Sequence, residues 1–298
     1  HHKLLSIGYR LDDHQLDEAC YDLLASECRL ASLFGVAKGD LPTEHWFRLG
    51  RTVTEIGFSG ALMSWAGSMF EYLMPPLVMK EPHGSILNQT SHLVIKRQIA
   101  YARSKNIPWG ISEAAFNARD REMNYQYTNF GVPGLGLKRG LANNLVIAPY
   151  ATILASQFEP RAAVENLERL KKLGALGRYG FCDAVDFTPS RVPEGATCAV
   201  VQNYMAHHQG MSIVAVANVI FEGRMRERFH SDPVIESAEL LLQEKAPRDI
   251  PVATVRTEAD ERKAEEAEAS ADTRFLHSPI KDSLAVNLMS NGRYAAMV

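Results

Sequence analysis

Apolar residues recur at helical intervals along much of the chain. Between positions 17 and 37 the apolar residues lie three or four residues apart, and Gly39 follows as a stop signal, which predicts a helix there. Similar patterns predict helices at 88–104, 148–157, 161–173, 200–221 and 234–244. Apart from a short strand at 4–10, strand patterns are few, and a stretch at 117–140 has no steady period. The pattern therefore predicts an all-α domain whose loops contain the functional residues.

The character of the sequence changes near position 247. Pro247 and Pro251 interrupt the helical pattern, and a run of charged residues follows, so we interpret 248–273 as a linker after a domain at 1–247. Residues 274–298 become strand-like, and Asn291-Gly292 predicts a hairpin turn. Because a strand begins as the chain stops, we expect both ends to continue into a longer polypeptide.

Composition and charge exclude several classes of protein. Hydrophobic residues make up 46% and charged residues 22%, which is typical of a folded chain. The net charge of −3 argues against a nucleic-acid binder, and no apolar run is long enough to span a bilayer. Four cysteines without metal-site spacing indicate free thiols.

Two glutamates are candidates for chemistry. Glu27 lies close to the apolar stripe of the helix predicted at 17–37, where a carboxylate needs a reason, although a position at the rim of the stripe or pairing with Arg29 is the simpler explanation. Glu113 follows Trp109-Gly110, and a Trp beside a carboxylate is typical of sugar-binding clefts. A helix cap is the alternative interpretation of Glu113.

Aromatic and acidic residues cluster at two further positions. Trp65 and Glu71 flank a glycine bend, where a packed turn is the alternative to a sugar site. Tyr125 and Tyr127 suit sugar faces and hydroxyl groups but could equally clamp a loop.

His207, His208 and Gln209 form a third polar cluster. They suit hydrogen bonding to a polyhydroxylated ligand, or to backbone carbonyls at a helix junction. Adjacent histidines point about 100° apart on a helix, so we expect that they cannot share a metal, and we predict no metal site. The glycine-rich stretch at 131–140 does not match a phosphate-binding loop.

Several long motifs occur together, in order, at 21–27, 45–51, 109–113, 130–140, 204–211 and 240–244. With these motifs the chain resembles the glucoamylase-like middle region of bacterial cyclic β-1,2-glucan synthases over residues 4–250. The end of the chain resembles the start of the β-sandwich of the phosphorylase-like module that follows, which places that start at 274–298.

The resemblance implies an (α/α)6 toroid with short β elements at its ends. The toroid would be incomplete here, because the strand and helix expected before residue 4 are missing. It also implies an anomer-retaining transglycosylase that cuts a linear β-1,2-glucan and closes it into a ring, without a cofactor. The partners would be that glucan and the glycosyltransferase and phosphorylase-like modules of one membrane-bound synthase, on the cytoplasmic side of the bacterial inner membrane. The fragment itself would be soluble.

By the same resemblance Glu113 is the nucleophile and Glu27 the acid/base residue of a retaining pair. We expect an apolar helix stripe to desolvate Glu27, and donors near Asn117, Arg119 and Tyr125 to keep Glu113 ionised. The predicted substrate-binding residues are Asp22, Trp65, Glu71, Trp109, Tyr125, Tyr127, Asp183, His207, His208 and Gln209. Asp183 replaces a Glu found in many relatives, which favours a binding role. A β-1,2-glucanase-type hydrolase and a non-catalytic glucan-binding module remain the alternatives, and the presence of both glutamates favours an enzyme.

Overall fold

The computed structural model describes residues 3–246, 288–290 and 295–297. The chain divides into two compact units, His1–Glu258 and Ala259–Val298. All the predicted site residues lie in the first unit. The predicted linker at 248–273 lies outside the described residues.

Nine α-helices lie in the described part of the first unit. They are α1 (Arg29–Ala37), α2 (Glu44–Arg48), α3 (Met69–Leu73), α4 (Ile86–Ser104), α5 (Pro149–Ala155), α6 (Pro160–Lys172), α7 (Ala206–Ile220), α8 (Arg224–His230) and α9 (Pro233–Glu236). Helices α5, α6 and α9 begin with proline, whose missing N–H costs nothing at that position. Ser85 caps α4 by accepting a hydrogen bond from the backbone N–H of Asn88.

Short antiparallel strands lie between the helices. They are β1 (Tyr9–Arg10), β2 (Gln15–Leu16), β3 (Val53–Ile56), β4 (Ser59–Leu62), β5 (Ala114–Arg119), β6 (Tyr125–Thr128), β7 (Val146–Ile147), β8 (Leu176–Gly177), β9 (Gly180–Phe181), β10 (Ala184–Asp186) and β11 (Ala199–Val201). The first six and the β8–β9 pair form hairpins, and a three-stranded sheet has the order β11-β10-β7. Helices form the larger part of the described elements, as the all-α prediction requires, but the expectation of β elements only at the ends is wrong, because hairpins and a small sheet occupy the interior of the sequence.

Two predicted helices are corrected by the structure. Residues 17–28 are not helical, because this segment pairs its backbone with Ser6 and Gly50 and buries Leu23 and Leu24 from an irregular chain. Glu27 therefore lies in the turn before α1 rather than on a helix stripe. The helix predicted at 200–221 begins only at Ala206, because its apolar start is strand β11, paired with β10.

Three of the four remaining predicted helices agree with the structure. Helices α4, α5 and α6 match the predictions at 88–104, 148–157 and 161–173 to within two residues. The helix predicted at 234–244 divides into α9 and a 3₁₀ turn at Glu239–Gln243. The stretch at 117–140, predicted as a loop, contains strand β6 and the second half of β5.

One apolar core joins the helices of the first unit to its small sheet. Trp46 and Leu33 of the first two helices, Ile95 of α4, Leu154 of α5 and Val185 of β10 are all almost completely buried in it. All four cysteines are free thiols, as predicted. Within the described residues, no helix has both the length and the apolar character needed to cross a membrane.

In the second unit, β12 (Leu288–Ser290) pairs antiparallel with β13 (Ala295–Met297). The pairing flanks the predicted Asn291-Gly292 turn, whose own residues lie outside the described part. The predicted start of a β-sandwich at 274–298 stays a prediction.

Candidate active site

A cavity of about 540 Å³ opens beside the turn that precedes α1. Both candidate glutamates line it, together with Ile7, Ala19, Cys20, Tyr21, Asp22, Leu23, Ser26, Trp65, Glu71 and Asn129. The structure thus brings Glu27 and Glu113 to one concave surface, although 86 positions separate them in the sequence.

The turn before α1 fixes the position of Glu27. The Ser26 hydroxyl donates to Glu27 Oε2 at 3.2 Å and accepts a hydrogen bond from the backbone N–H of Cys28. The buried guanidinium of Arg29 donates to the carbonyl of Ser26 at 3.0 Å and to that of Glu71 at 2.7 Å. Arg29 therefore does not neutralise Glu27 by a direct bond, but ties its turn to α3.

Glu113 lies immediately before β5 and is largely enclosed. The Tyr127 hydroxyl donates to Glu113 Oε1 at 2.6 Å, and the Tyr150 hydroxyl donates to the Glu113 carbonyl at 2.9 Å. Burial raises the pKa of the Glu113 carboxyl, the Tyr127 hydrogen bond opposes that rise, and the nearby Glu27 carboxylate adds to it.

The donors that the sequence predicted for Glu113, at Asn117, Arg119 and Tyr125, bond to other groups. Asn117 donates its side-chain amide to the carbonyl of Arg191, and Arg119 donates to the Tyr125 hydroxyl at 2.7 Å. The Tyr127 hydroxyl donates to Glu113 instead, because the hairpin formed by β5 and β6 turns Tyr127 toward the carboxylate.

Behind Tyr127 lies a row of polar side chains. The Tyr127 oxygen is 3.2 Å from His208 Nε2 and 3.4 Å from His207 Nε2. His208 Nδ1 is 2.6 Å from the buried Asp183 carboxylate, whose second oxygen accepts the backbone N–H of Ala115 at 2.7 Å. Asp183 therefore orients His208, and both of its carboxylate oxygens are engaged within the fold.

The argument that adjacent histidines cannot reach one point is corrected by this geometry. Both imidazole Nε2 atoms approach the same hydroxyl, because they lie at the start of α7 with their ring centroids 4.1 Å apart. Within the described residues, Glu113, His207 and His208 form a group whose ligand atoms lie within 4.8 Å of one another. The Tyr127 hydroxyl already lies among those atoms.

Glu71 and Trp65 shape the opposite wall of the cavity. The buried Glu71 carboxylate accepts hydrogen bonds from the Ser64 hydroxyl and the backbone N–H groups of Ala66 and Ser68, at 2.8–2.9 Å. These bonds hold a turn on which Trp65 is 57% exposed at the cavity. The Glu71 carboxylate therefore stabilises a packed turn, which was the alternative to a sugar-binding role.

Seven of the ten predicted binding residues do not line this cavity, namely Trp109, Tyr125, Tyr127, Asp183, His207, His208 and Gln209. The Trp109 indole is buried in the core, because its backbone is tied to Asn166 inside the fold, which corrects its assignment as a sugar-stacking residue. Tyr125 packs under the Arg119 guanidinium and serves as the hairpin clamp. Gln209, with Asp183 and His208, lines a separate cavity of about 190 Å³.

The family model described as "Putative glucoamylase" matches residues 20–233, a span that contains every predicted site residue. The chain belongs to this glucoamylase family. The cyclic beta-(1,2)-glucan synthase NdvB of Rhizobium meliloti (strain 1021) is 63% identical over 297 residues, which confirms the resemblance. That match covers 99% of this chain and 10% of the synthase, so the chain spans about a tenth of the length of this curated relative.

Solved structures share the glucoamylase-family fold. One, from Bacteroides caccae ATCC 43185 and also described as a putative glucoamylase, has a TM-score of 0.56 at 16% identity, covering 82% of this chain and 60% of that one. The endo-beta-1,2-glucanase of Chitinophaga pinensis, in a complex with sophorotriose and glucose, has a TM-score of 0.56 at 17% identity over the same shares.

The sequence-based prediction missed several residues that line this cavity, among them Tyr21 and Asn129, and it missed Tyr150 behind the cavity. Tyr21 lines the cavity, and its pKa is raised by burial and then by the charge of Glu27. Asn129 lines it from the segment after β6. Tyr150 stacks on His208 with ring centroids 3.7 Å apart. Only Tyr21 gave a signal, since it begins a recognised motif.

Proposed function

We propose that this chain is an anomer-retaining transglycosylase that cyclises linear β-1,2-glucan within a larger synthase. The observation that supports this most directly is the convergence of Glu27 and Glu113 on one cavity. The 63% identical relative is named as a cyclic beta-(1,2)-glucan synthase, and a structural neighbour is named as an endo-beta-1,2-glucanase with a bound sophorotriose. Both names point to the same class of glucan.

In the proposed first step the Glu113 carboxylate attacks the anomeric carbon of an internal linkage. Glu27 protonates the departing glycosidic oxygen as that bond breaks, and a glycosyl-enzyme ester forms on Glu113. This step requires Glu113 to be ionised and Glu27 to be protonated. A retaining pair of carboxyl groups lies about 5–5.5 Å apart.

In the second step a hydroxyl at the non-reducing end of the same glycosyl chain replaces water as the acceptor. Glu27, now ionised, removes the proton of that hydroxyl, whose oxygen attacks the anomeric carbon, and the ester to Glu113 breaks. Both carboxyl groups return to their starting states, and the second inversion restores the original configuration. The product is a ring, and no water is consumed.

Binding of the glucan is assigned to the open wall of the cavity. The exposed face of Trp65 is suited to stack on a glucose ring, and Asp22 and Asn129 offer hydrogen-bonding groups beside it. Tyr127 bonds to Glu113, which lines the same cavity, and His207 lies 3.4 Å from the Tyr127 hydroxyl. We keep Glu71, Asp183 and His208 as residues that position these groups.

The larger assembly belongs to the same proposal. The helices of the first unit would form part of an (α/α)6 toroid, joined through the linker at 248–273 to a phosphorylase-like module. A glycosyltransferase module of the same polypeptide would supply the linear glucan at the cytoplasmic side of the inner membrane. The 10% share of the synthase covered by this chain leaves room for both modules.

Product analysis tests the proposal. The chain is incubated with linear β-1,2-glucan and the products are weighed by mass spectrometry, with Glu113→Gln as the inactive control. Products one water lighter than the linear chain of equal length, and absent from the control, would support cyclisation. Linear fragments alone would replace it with a glucanase-type hydrolase, and unchanged glucan would replace it with a non-catalytic binding module.

A further inference from the structure

Three side chains behind Glu113 form a continuous row of hydrogen-bonding groups. Asp183 Oδ1 lies 2.6 Å from His208 Nδ1, His208 Nε2 lies 3.2 Å from the Tyr127 oxygen, and that hydroxyl lies 2.6 Å from Glu113 Oε1. The row is held rigidly, because Ala115 N–H binds the other Asp183 oxygen and Tyr150 stacks on the imidazole. Asp183 and His208 are almost completely buried.

The two oxygens beside the His208 ring can both accept a hydrogen bond. Tyr127 has one hydroxyl proton, and it points at Glu113 across the shorter of its contacts. The tyrosine oxygen can then accept a hydrogen bond from His208 Nε2, and the Asp183 carboxylate can accept one from His208 Nδ1. Both ring nitrogens therefore have an acceptor within hydrogen-bond distance, which is the arrangement that a doubly protonated imidazole requires.

We propose that Asp183, His208 and Tyr127 form a proton relay in which His208 stores the proton that burial would otherwise place on Glu113. Transfer along the relay breaks the His208 Nε2–H bond and forms a bond from that proton to the Tyr127 oxygen. The original Tyr127 O–H bond breaks as its proton bonds to Glu113 Oε1. The total number of protons is unchanged, so no outside acid or base is needed.

The relay rests on the proposed function, because the nucleophile of a retaining pair must be ionised before it attacks. Burial favours the neutral form of Glu113, and Glu27 across the cavity favours it further. The Tyr127 hydrogen bond and the His208 charge both oppose this. His207, at 3.4 Å from the same hydroxyl, has its pKa lowered first by burial and then by His208, and so remains neutral at pH 7. We therefore treat Tyr127, His208 and Asp183 as positioning residues.

Nitrogen NMR tests the stored proton without any substrate. The chain is labelled with ¹⁵N-histidine, and the His208 signals are assigned by their loss in His208→Gln. At pH 7 we expect two protonated ring nitrogens for His208, and one unprotonated nitrogen in Asp183→Asn, where the counter-charge is gone. An unprotonated His208 nitrogen in the unsubstituted chain would overturn the relay.

The pH dependence of glucan turnover tests the effect on Glu113. Tyr127→Phe removes the donor and should move the acidic limb of kcat/KM upward by about one pH unit. Tyr125→Phe is the matched control, because its hydroxyl lies on the same strand but bonds to Arg119, and its limb should not move. A lower rate with an unmoved limb in Tyr127→Phe would show a purely structural role and overturn the relay.

Failure of the relay and failure of the proposed function give different results. If Glu113→Gln retains full turnover, the proposed function fails, while the NMR spectra still report the proton on His208. If His208 is neutral but Glu113→Gln is inactive, the relay fails and the assignment of Glu113 stands.

Discussion

At the scale of single residues, the two glutamates differ in their immediate partners. Tyr127 donates to Glu113 at 2.6 Å, whereas the bond that Glu27 accepts from the Ser26 hydroxyl is longer, at 3.2 Å. We therefore expect Glu113→Gln to abolish glycosyl-enzyme formation with every substrate. Glu27→Gln should slow a glucan with a poor leaving group far more than an activated aryl glucan, because an activated group departs without a proton. Steady-state kinetics on both substrates measures the difference.

Glu55→Gln is the matched control for these two variants. Glu55 is exposed on β3 and does not line the cavity, so both substrates should turn over at the unsubstituted rate. The roles of the pair are exchanged if Glu113→Gln retains the activated substrate and Glu27→Gln loses it.

Arg29 supports the site through a buried ion pair. Its guanidinium lies 3.3 Å from the Glu81 carboxylate, with both side chains no more than 3% exposed. Removing one partner of such a pair leaves the other charge unpaired, so Arg29→Met should lower the free energy of unfolding by about 3–5 kcal/mol. Denaturant unfolding measures this loss, and Lys38→Met, at the exposed pair with Asp40, should cost less than about 1 kcal/mol.

A double variant separates charge from packing at Arg29. Adding Glu81→Gln to Arg29→Met removes the unpaired charge while leaving an acceptor for the Ser91 hydroxyl. We expect the double variant to be more stable than Arg29→Met alone. Equal or lower stability would mean that the carbonyl contacts of Arg29, rather than the ion pair, hold the turn.

At the scale of elements, the glycine-rich stretch at 131–140 packs against the turn that presents Trp65. A Cβ atom added to Gly131 would lie only 1.7 Å from the carbonyl oxygen of Ala66. Gly131→Ala must therefore displace that turn, and we expect a loss of about 3 kcal/mol in unfolding free energy together with weaker glucan binding. Gly8→Ala, with open space around its Cβ, is the control and should change neither quantity.

Calorimetry and glucan titration would check this pair of variants. If Gly131→Ala keeps both its stability and its affinity, the turn is adaptable, and Trp65 does not depend on this packing.

The element scale also shows what the sequence could and could not predict. Helices α4 and α6 were predictable because one face of each packs on the core over several turns, giving a full helical period. The segment before α1 buries Leu23 and Leu24 without being helical, so its apolar spacing was misleading. Strand β11 could not be distinguished from the helix that follows it, because a short apolar strand just before an apolar helix has the same composition as the helix.

The same limits decided which site residues could be predicted from the sequence. That Glu27 and Glu113 line one cavity was predictable because their motifs belong to a recognisable family pattern. Trp109 was misassigned because the same aromatic residue suits a core and a sugar cleft, and only its burial decides. The approach of His207 and His208 to one hydroxyl depends on a hairpin about eighty positions away, which local spacing does not encode.

At the scale of the whole molecule, the segment just after α9 closes the first unit. The Glu244 carboxylate binds the Arg51 guanidinium through two bonds of 2.7 and 2.9 Å, and its carbonyl accepts Ile86 N–H at 2.7 Å. Leu242 beside it is 1% exposed. The first unit therefore contains its own closing contacts, and the residues that line the cavity all lie within it.

Two truncations follow from this arrangement. A chain of residues 1–258 keeps Leu242 and Glu244, so we expect it to unfold at the same temperature as the 298-residue chain and to retain its activity on glucan. A chain of residues 1–238 loses a buried leucine and the Arg51 pair, and its free energy of unfolding should fall by about 2–5 kcal/mol from the leucine alone. Differential scanning calorimetry of the three chains makes the comparison. Equal unfolding temperatures for residues 1–238 and 1–258 would show that the closing segment contributes nothing. A lower temperature or lost activity for residues 1–258 would instead show that the second unit supports the first.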